Sequence, residues 1–508
     1  MAGQKIKHVF ILMLENHSFD NIFGLSGIAG INGLTGNESN AYMGTAYPVK
    51  TPAPDTMPSD PGHEFLDTLQ QLCGYNDISP VWKAGSPYPP ADSSIDNLGF
   101  VANYATSVSE QTKVIHYSPP PVADIGDVMC CFDTAKQLPA TYELATRFAV
   151  CDNWFASIPG PTWPNRFFAY AASSAGLDDS PSGKDQLAHE LLTGYQFPHG
   201  TVFDLLTKHN LSFRLYQDRF TTLSFPIVHA LEGIHWRDMH DISSFATDLQ
   251  NNYDHALTLI EPNYGDIFLD TYRGGSSQHP MDGMQKGEAL IKTVYEAIYN
   301  SPLWENSLLI ITYDEHGGFY DHVAPPAAIP PGDGGSKYNQ HGFDFSHYGV
   351  RVPAIVVSPY IPANTVSHTL FDHSSMIKTV TDNWGLPSLT DRDTAANGLS
   401  DLLSLSEPRA KADCPATLSI PNTPEIPGRE LTEDEQKQFG NLPIPASGNI
   451  IGFLQVAAKI HHELGTQTDP EKSGIQDAVK NIETRTDARN YINSVLAKLK
   501  QAKEDITK

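Results

Sequence analysis

Short apolar runs that end abruptly in polar residues organise this sequence. Residues 308–312 and residues 6–14 are mostly apolar and rich in β-branched side chains. Runs of this length without alternation are typical of strands covered on both faces, as in a parallel sheet. Residues 257–262 and 350–361 have the same character. We therefore predict a parallel-rich sheet whose central strands are buried.

Segments with a helical period alternate with these strands. The alternation predicts parallel strand–helix–strand units and hence an α/β fold with helices flanking the sheet. A polar, Pro-rich stretch at residues 401–447 interrupts it, and residues 450–464 and 475–499 then predict two further helices. We expect a catalytic domain at residues 1–400, followed at residues 401–508 by a Pro-rich connection and a C-terminal helical appendage. The helices predicted in the first domain are residues 60–72, 97–105, 138–148, 201–210, 242–252, 283–299 and 371–385.

Composition and net charge restrict the kinds of molecule that the protein is expected to bind. The 508 residues carry 33 Lys and Arg against 59 Asp and Glu, a formal net charge of −26. Such acidity argues against nucleic acid and against electrostatic docking on anionic lipid, although a local metal centre could still hold a phosphate ester. The five cysteines are odd in number and lack CxxC spacing, which argues against a disulfide framework and a thiolate zinc site.

The N-terminal apolar run resembles a secretion signal, but we interpret it as the first strand. It is short, lacks a small-residue cleavage site and leads directly into polar Glu15 and Asn16. No apolar run is long enough to span a membrane. We therefore expect a soluble chain without a signal peptide, either cytoplasmic or exported after removal of a signal.

Oxygen ligands follow two of the predicted strands. Glu15 and Asn16 come directly after the first strand, and Asp314 and Glu315 come directly after the strand at 308–312. Open α/β sheets place their chemistry at the carboxyl ends of strands. Burying adjacent acids is costly unless a positive charge is near, so a divalent cation is their natural companion. The alternatives are an acidic turn at Asp314 and a helix cap at Asn16.

Thr162 lies between a Gly-Pro turn and a predicted helix that opens at Pro164. Unpaired backbone N–H groups at a helix start favour an anion, and a hydroxyl there can attack phosphorus once its proton affinity is lowered. The alternative is a Thr that only caps the helix. Arg166 in the same helix could clamp a phosphate or form a structural salt bridge.

Two histidines, His63 and His279, lie in polar loops at the starts of predicted helices. A lone histidine in such a position is more often a cap or a satisfied surface residue than a catalytic group. Phosphoryl transfer nevertheless needs a proton donor for the leaving alkoxide, and either histidine could supply it.

Four motifs occur in order along the chain: ENHSFD from Glu15, PTWPNR from Pro161, HP at His279 and DEHGGFYDHV from Asp314. Together with DPGHEFLDTLQQ, LGFVANY, GVRVPAIVVSPYI and FDHSSMIK, they resemble one group of phosphoesterases. That group comprises the bacterial and plant non-specific phospholipases C and the related acid phosphatases. The resemblance covers about residues 7–385 and not the C-terminal part.

The resemblance implies an alkaline-phosphatase-like α/β sandwich with one divalent metal ion, for which Ca, Mg, Mn and Zn are all compatible. It implies that Thr162 is the nucleophile and also contacts the metal. We assign Asn165 and Arg166 of the PTWPNR motif to substrate binding. The implied metal ligands are Glu15, Asn16 and Asp314, with Glu315 as a ligand or a nearby acid, and the implied pocket histidines are His63, His279 and, from the loop at 229–240, His235.

Three functions fit these residues. The first is a metal-dependent phospholipase C-type phosphodiesterase that acts on a phosphate ester such as a phospholipid through a phospho-Thr162 intermediate. The second is an acid phosphatase, a phosphomonoesterase with the same metal core and different pocket walls. The third, an inactive binding homologue, is disfavoured because every metal and nucleophile position is filled. His17 stands where the family often has Arg, which affects the substrate-facing wall; the sequence does not predict the oligomeric state.

Overall fold

The computed structural model describes residues 5–74, 82–115, 124–183, 192–220, 224–269, 271–422, 428–465 and 468–507. Strands and helices alternate along most of the chain, as the apolar pattern predicts. The strands are β1 His8–Leu14, β2 Ser39–Tyr42, β3 Thr45–Pro48, β4 Ala149–Cys151, β5 Phe213–Gln217, β6 Met239–Asp241, β7 Leu257–Glu261, β8 Ser307–Tyr313, β9 Ala354–Val357 and β10 Thr365–Ser367.

One sheet of eight strands forms the centre of the fold, in the order β10–β4–β9–β8–β1–β7–β5–β6. β1 pairs in parallel with β7 and β8, whereas β9 runs antiparallel to both of its neighbours, β8 and β4. Every residue of β1 and β8 is buried. Helices flank this sheet, so the predicted α/β sandwich with a parallel-rich sheet is confirmed. The separate β2–β3 pair is an antiparallel hairpin.

The helices match most of the predicted segments, with shifted ends. The strand predicted at 350–361 is shorter than expected, because Pro353 and Pro359 flank β9 and cannot donate to a ladder. In the part of the chain that is described, the helices are Phe19–Phe23, Phe65–Cys73, Phe100–Ile115, Thr134–Gln137, Pro139–Arg147, Thr162–Ala171, Val202–Lys208, Phe245–Asp248, Gln285–Tyr299, Ser374–Trp384, Asp391–Ala395, Glu433–Gly440, Asn449–Leu464, Asp469–Lys480 and Arg485–Thr507.

The single helix predicted at 475–499 is wrong, because two helices occupy this region. Asp469–Lys480 ends before Arg485–Thr507 begins. The carboxylate of Asp487 accepts hydrogen bonds from the Thr484 backbone N–H and hydroxyl at 3.0 and 2.8 Å. These bonds give the Thr484 N–H and hydroxyl an acceptor at the start of the second helix. A new helix therefore begins here, although the apolar pattern continues from one helix into the next.

The first long C-terminal helix, Asn449–Leu464, packs into the same core as the sheet. Its residues 450–460 are buried, and Ile451 and Leu454 belong to the apolar cluster that contains β1 and β8. Gly452 allows the close approach, since a Cβ there would lie 2.1 Å from the indole of Trp163. The predicted domain boundary near residue 400 stays a prediction, but this helix is an integral part of the core. Among the described helices, none is both long and apolar enough to cross a membrane.

Candidate active site

The carboxyl ends of β1 and β8 bring the predicted metal ligands together. Asn16 adopts a positive φ of 61° directly after β1, and its backbone N–H donates to Asp314 Oδ1 at 3.1 Å. The backbone N–H of Glu315 donates to the same oxygen at 2.8 Å. Gly317 is required beside them, because a Cβ there would lie 2.0 Å from the Asn16 carbonyl oxygen. The four buried residues gathered at this edge of the sheet are Glu15, Asn16, Asp314 and Glu315.

Arg166 is the charged partner of Asp314. Its Nε donates to Asp314 Oδ2 at 2.8 Å, and both side chains are fully buried. Its Nη2 donates to the Leu14 carbonyl oxygen at 2.9 Å, which ties the guanidinium to the end of β1. The structure therefore shows the salt bridge, and a contact of Arg166 with phosphate stays a prediction. Nη1 makes no hydrogen bond to any described residue.

Thr162 is the first residue of the helix Thr162–Ala171, with Pro161 as the N-cap. The helix thus opens two residues earlier than predicted, and Pro164 lies within its first turn, where a backbone N–H is not needed. The Thr162 hydroxyl donates to Asn16 Oδ1 at 3.2 Å. This contact brings the predicted nucleophile to the predicted metal ligands.

Asn165 holds the turn that leads into this helix. Its Oδ1 accepts from the backbone N–H of Ile158 at 3.0 Å, and its Nδ2 donates to the Gly160 carbonyl oxygen at 2.8 Å. Both ends of the amide are therefore occupied by the loop. These bonds hold the turn that precedes Thr162, and the predicted contact of Asn165 with substrate stays a prediction.

The acidic groups at this edge exceed the positive charge beside them. Burial, together with the charge of Asp314, raises the pKa of Glu15 to about 8. Burial raises the pKa of Asp314 to about 6, against the opposing effect of Arg166. Glu15 Oε2 and Glu315 Oε1 are buried without a hydrogen-bond partner among the described residues. Orphaned, desolvated carboxylate oxygens of this kind fit a divalent cation.

A second acidic cluster contains Asp20, Asp321 and His322. Within the described chain, it is the one set of three His, Cys, Asp or Glu side chains whose ligand atoms all lie within 4.8 Å of one another. Arg351 already contacts both carboxylates and offsets part of their charge, since Nη2 lies 3.0 Å from Asp20 Oδ1 and Nε lies 2.9 Å from Asp321 Oδ1. At the edge of the sheet that holds Glu15, the amide oxygen of Asn16 and the hydroxyl of Thr162 lie 3.2 Å apart beside the carboxylates.

His279 is fully buried at the start of the loop before Gln285–Tyr299. Its Nδ1 accepts from the backbone N–H of Met281 at 3.3 Å, so the neutral ring carries its proton on Nε2. Burial and the charges of His63 and His17 hold the pKa of His279 well below its usual value. Nε2 lies 3.7 Å from Asp60 Oδ2 and makes no hydrogen bond to the described residues.

His63 has the opposite charge preference. Its Nδ1 donates to the Pro61 carbonyl oxygen at 2.9 Å. Burial disfavours the imidazolium, but the carboxylates of Glu315, Asp60 and Glu64 outweigh burial and raise the pKa of His63 to about 10. The ring centroids of His63 and His279 are 6.4 Å apart. The site therefore pairs a protonated histidine with a neutral one.

A pocket of about 310 Å³ opens beside Thr162 and His63. The acidic side chains of Asp60, Glu64 and Asp67 line it on one side. The C-terminal part of the chain lines it on another, although sequence motifs gave no sign of such a role. The C-terminal residues in the wall are Pro445, Ser447, Gly448, Asn449, Ile450 and Arg485.

The structure does not bring His235 to this pocket. His235 is exposed, and its Nδ1 lies 3.2 Å from Glu463 Oε1 on the C-terminal helix. Its choice as a pocket histidine was therefore wrong. Sequence analysis missed two neighbours of the site: Tyr272 stacks on His279, and His373 Nε2 donates to the Asp314 carbonyl oxygen at 2.6 Å. The one signal for His373 was its position near a helix start.

Comparisons with known proteins agree with the sequence motifs. The profile of the Phosphoesterase family matches residues 6–387. Non-specific phospholipase C6 of Arabidopsis thaliana is 33% identical to the chain, in an alignment that covers 99% of this chain and 89% of that protein. Phospholipase C B of Mycobacterium tuberculosis (strain ATCC 25618 / H37Rv) is 26% identical, with 83% and 82% covered.

Among solved structures, the phosphonate monoester hydrolase of Agrobacterium radiobacter is 12% identical, with a TM-score of 0.31 over 53% of this chain and 73% of that one. The sequence comparisons carry the assignment, because both the family profile and the plant relative extend over most of the chain. They show that the chain belongs to the Phosphoesterase family and is a hydrolase of phosphoric esters.

Proposed function

We propose that the chain is a phospholipase C-type phosphodiesterase that uses one divalent cation and a phospho-Thr162 intermediate. One observation carries the proposal: the Thr162 hydroxyl contacts Asn16 at the edge of the sheet where Glu15 and Asp314 are buried, and it faces the pocket. The names of the relatives, non-specific phospholipase C and phospholipase C, support a diester substrate.

Glu15, Asn16, Asp314 and the Thr162 hydroxyl are the groups that would hold the cation. When bound, such an ion supplies positive charge for the phosphate oxygens and lowers the proton affinity of the hydroxyl. Arg166 keeps the Asp314 carboxylate in its orientation through the 2.8 Å bond to Oδ2. The turn held by Asn165 directs Thr162 to a helix start, where the helix dipole favours the phosphate anion.

In the first step, Thr162 Oγ forms a bond to phosphorus, the bond from phosphorus to the leaving alkoxide breaks, and the proton of the Thr162 hydroxyl passes to solvent. Protonated His63 donates its proton to that alkoxide, because its imidazolium faces the pocket while Nδ1 is held by Pro61. Neutral His279 can donate from Nε2 to a phosphate oxygen. In the second step, His63 takes a proton from water, and the water oxygen forms a bond to phosphorus. The bond from phosphorus to Thr162 Oγ breaks, the phosphorylated head group leaves, and Thr162 Oγ takes up a proton from solvent.

The acidic pocket wall favours a diester over a monoester. A phosphomonoester carries close to two negative charges at neutral pH and a diester carries one, so repulsion by the Asp60 carboxylate penalises the monoester more. Burial raises the pKa of Glu64 and that of Asp67, which reduces their negative charge and their share in this repulsion. The Asp60 carboxylate also suits a head group with a positive charge. This is the reason to rank phospholipase C activity above acid phosphatase activity.

The test compares two chromogenic substrates that share one leaving group. We expect p-nitrophenylphosphorylcholine to be hydrolysed with a kcat/KM at least about tenfold above that of p-nitrophenyl phosphate, and EDTA to abolish both activities. Acid-quenched reactions analysed by mass spectrometry should carry the phosphoryl group on Thr162. Faster turnover of p-nitrophenyl phosphate would establish an acid phosphatase instead, and no turnover with any divalent cation would establish an inactive homologue.

His63→Gln should slow the reaction to an extent that depends on whether the leaving group needs a proton. For phosphatidylcholine, whose diacylglycerol alkoxide needs a proton, we expect kcat/KM, which reports only the steps up to departure of the leaving group, to fall by about 10²- to 10⁴-fold. For p-nitrophenylphosphorylcholine, which releases a stabilised phenolate, the expected loss of kcat/KM is below about tenfold, because no proton donor is needed in this first step. Steady-state kinetics on both substrates measures the difference. His235→Gln is the control and should change neither rate; equal losses on both substrates in His63→Gln would exclude proton donation by His63.

A further inference from the structure

One amide side chain of the C-terminal helix connects two parts of the site. Asn449 is the first residue of the helix Asn449–Leu464, beyond the segment matched by the family profile. Its Oδ1 accepts a hydrogen bond from Trp163 Nε1 at 2.8 Å. Its Nδ2 donates to the Tyr272 hydroxyl at 3.0 Å. Asn449 also lines the pocket that contains Thr162.

Both partners of Asn449 are in direct contact with the proposed chemistry. Trp163 follows Thr162 in the chain, is fully buried and packs against Gly452 of the same C-terminal helix. The Tyr272 ring lies flat on the ring of His279, with centroids 3.4 Å apart and an interplanar angle of 7°. The amide therefore links the neighbour of the nucleophile to the residue that supports the buried histidine.

We propose that Asn449 is a positioning residue, which sets the separation of Thr162 and His279 by holding Trp163 and Tyr272 at once. The inference rests on the proposed function, because it assigns roles to Thr162 and His279 in phosphoryl transfer. Its physical basis is that small displacements of reacting groups reduce rates strongly, while a bridging hydrogen-bond network limits such displacements. The C-terminal helix then completes the active site, although it holds none of the family motifs.

The alternative is that Asn449 only attaches the C-terminal helix to the rest of the protein. The chain contains a matched bond with which to test this. The Tyr195 hydroxyl donates to Gln455 Oε1 at 2.6 Å, from the same catalytic region to the same helix. Gln455 is buried and does not line the pocket beside Thr162. Gln455→Leu thus removes an attachment of the helix without touching Trp163 or Tyr272.

We expect Asn449→Leu to reduce kcat for p-nitrophenylphosphorylcholine by about 10- to 100-fold, with KM changed by less than about threefold. Gln455→Leu should lower the melting temperature by a similar amount and change kcat by less than about twofold. Calorimetric titration with orthovanadate, which resembles the transition state, should show about tenfold weaker binding to Asn449→Leu only. Equal losses of kcat in the two variants would overturn the inference.

Tyr272→Phe supplies a second variant that removes a single oxygen and keeps the ring on His279. If Asn449 acts through Tyr272, the double variant Asn449→Leu/Tyr272→Phe should be no slower than Asn449→Leu by more than about twofold. If the loss of kcat in the double variant equalled the product of the losses in the two single variants, Asn449 and Tyr272 would act independently, which would contradict the inference. Should Asn449→Leu not fold, an unchanged kcat in both Tyr272→Phe and Trp163→Phe would contradict it equally. Activity that survives in Thr162→Ala would instead refute the proposed function, and the positioning role with it.

Discussion

Thr162→Ala is expected to reduce hydrolysis of p-nitrophenylphosphorylcholine by at least about 10³-fold, because it removes the attacking oxygen. The fold should tolerate the change well. Pro161 is the N-cap, and the Thr162 hydroxyl contacts Asn16 rather than a backbone N–H of the helix, so little helix stability depends on it. Thr162→Ser keeps a hydroxyl at the same position and should retain substantial activity. Steady-state kinetics and thermal melting of the three proteins measure both effects.

Thr201→Ala provides the control for a purely structural threonine. The Thr201 hydroxyl accepts from the backbone N–H of Asp204 at 3.2 Å and caps the helix Val202–Lys208. Its loss should cost about 1 kcal/mol of stability and leave kcat nearly unchanged. If Thr162→Ala behaved like Thr201→Ala, Thr162 would not be the nucleophile. Direct attack by water would then replace the covalent mechanism.

Asp314→Asn is expected to abolish cation binding and to reduce hydrolytic activity by at least about 10³-fold. Asparagine keeps the shape of the aspartate side chain but lacks its negative charge. It also leaves Arg166 as a buried, unpaired guanidinium, which should destabilise the fold by about 3–5 kcal/mol. Elemental analysis of the dialysed protein measures the metal content, and denaturant unfolding measures the stability. The wild type should retain about one ion per chain, as the single proposed site requires.

Asp321→Asn tests which of the two acidic clusters binds the ion. It disrupts the pair with Arg351, so it should destabilise the protein, but it should leave the metal content unchanged. Loss of the ion in Asp321→Asn with retention in Asp314→Asn would move the metal site to Asp20, Asp321 and His322.

The pH dependence of metal binding provides a further check of the same prediction. The pKa of Glu15 is raised to about 8 and that of Asp314 to about 6, both above their values in an unfolded chain. Raised carboxyl pKa values favour the folded state at low pH, and that stability is lost as pH rises towards 8 in the metal-free protein. A bound cation offsets the ionised carboxylates. The gain in melting temperature on adding the ion should therefore be larger at pH 8 than at pH 5.

The positions of the strands and of the polar residues at their ends could be predicted, because they depend on local sequence. The apolar runs of β1 and β8 indicated buried parallel strands, and their parallel pairing puts Asn16 and Asp314 at the same edge. Thr162 stood at a helix start in the sequence and does so in the structure. Periodicity and turn residues act over a few positions, so one sequence contains enough information to place them.

Contacts between distant segments could not be predicted from local sequence. The sequence was compatible with Arg166 as a phosphate clamp and as a salt-bridge partner, and only the fold shows its 2.8 Å contact with Asp314. His235 matched the expected residue type, yet its partner is Glu463, more than two hundred positions away. Tyr272 and Asn449 have no motif of their own, and only the fold shows the stacking and hydrogen bonding that connect them to the candidate site.

The sequence by itself determined the α/β class, the acidic and amide groups at the strand ends, the position of Thr162 at a helix start and the family. The tertiary structure alone decided which charges pair, which histidine is protonated, and that the C-terminal helix forms part of the pocket wall. The physical reason is the range of the interactions. Strand and helix signals arise from neighbouring residues, whereas burial, charge pairing and pocket shape arise from segments that meet only when the chain has folded.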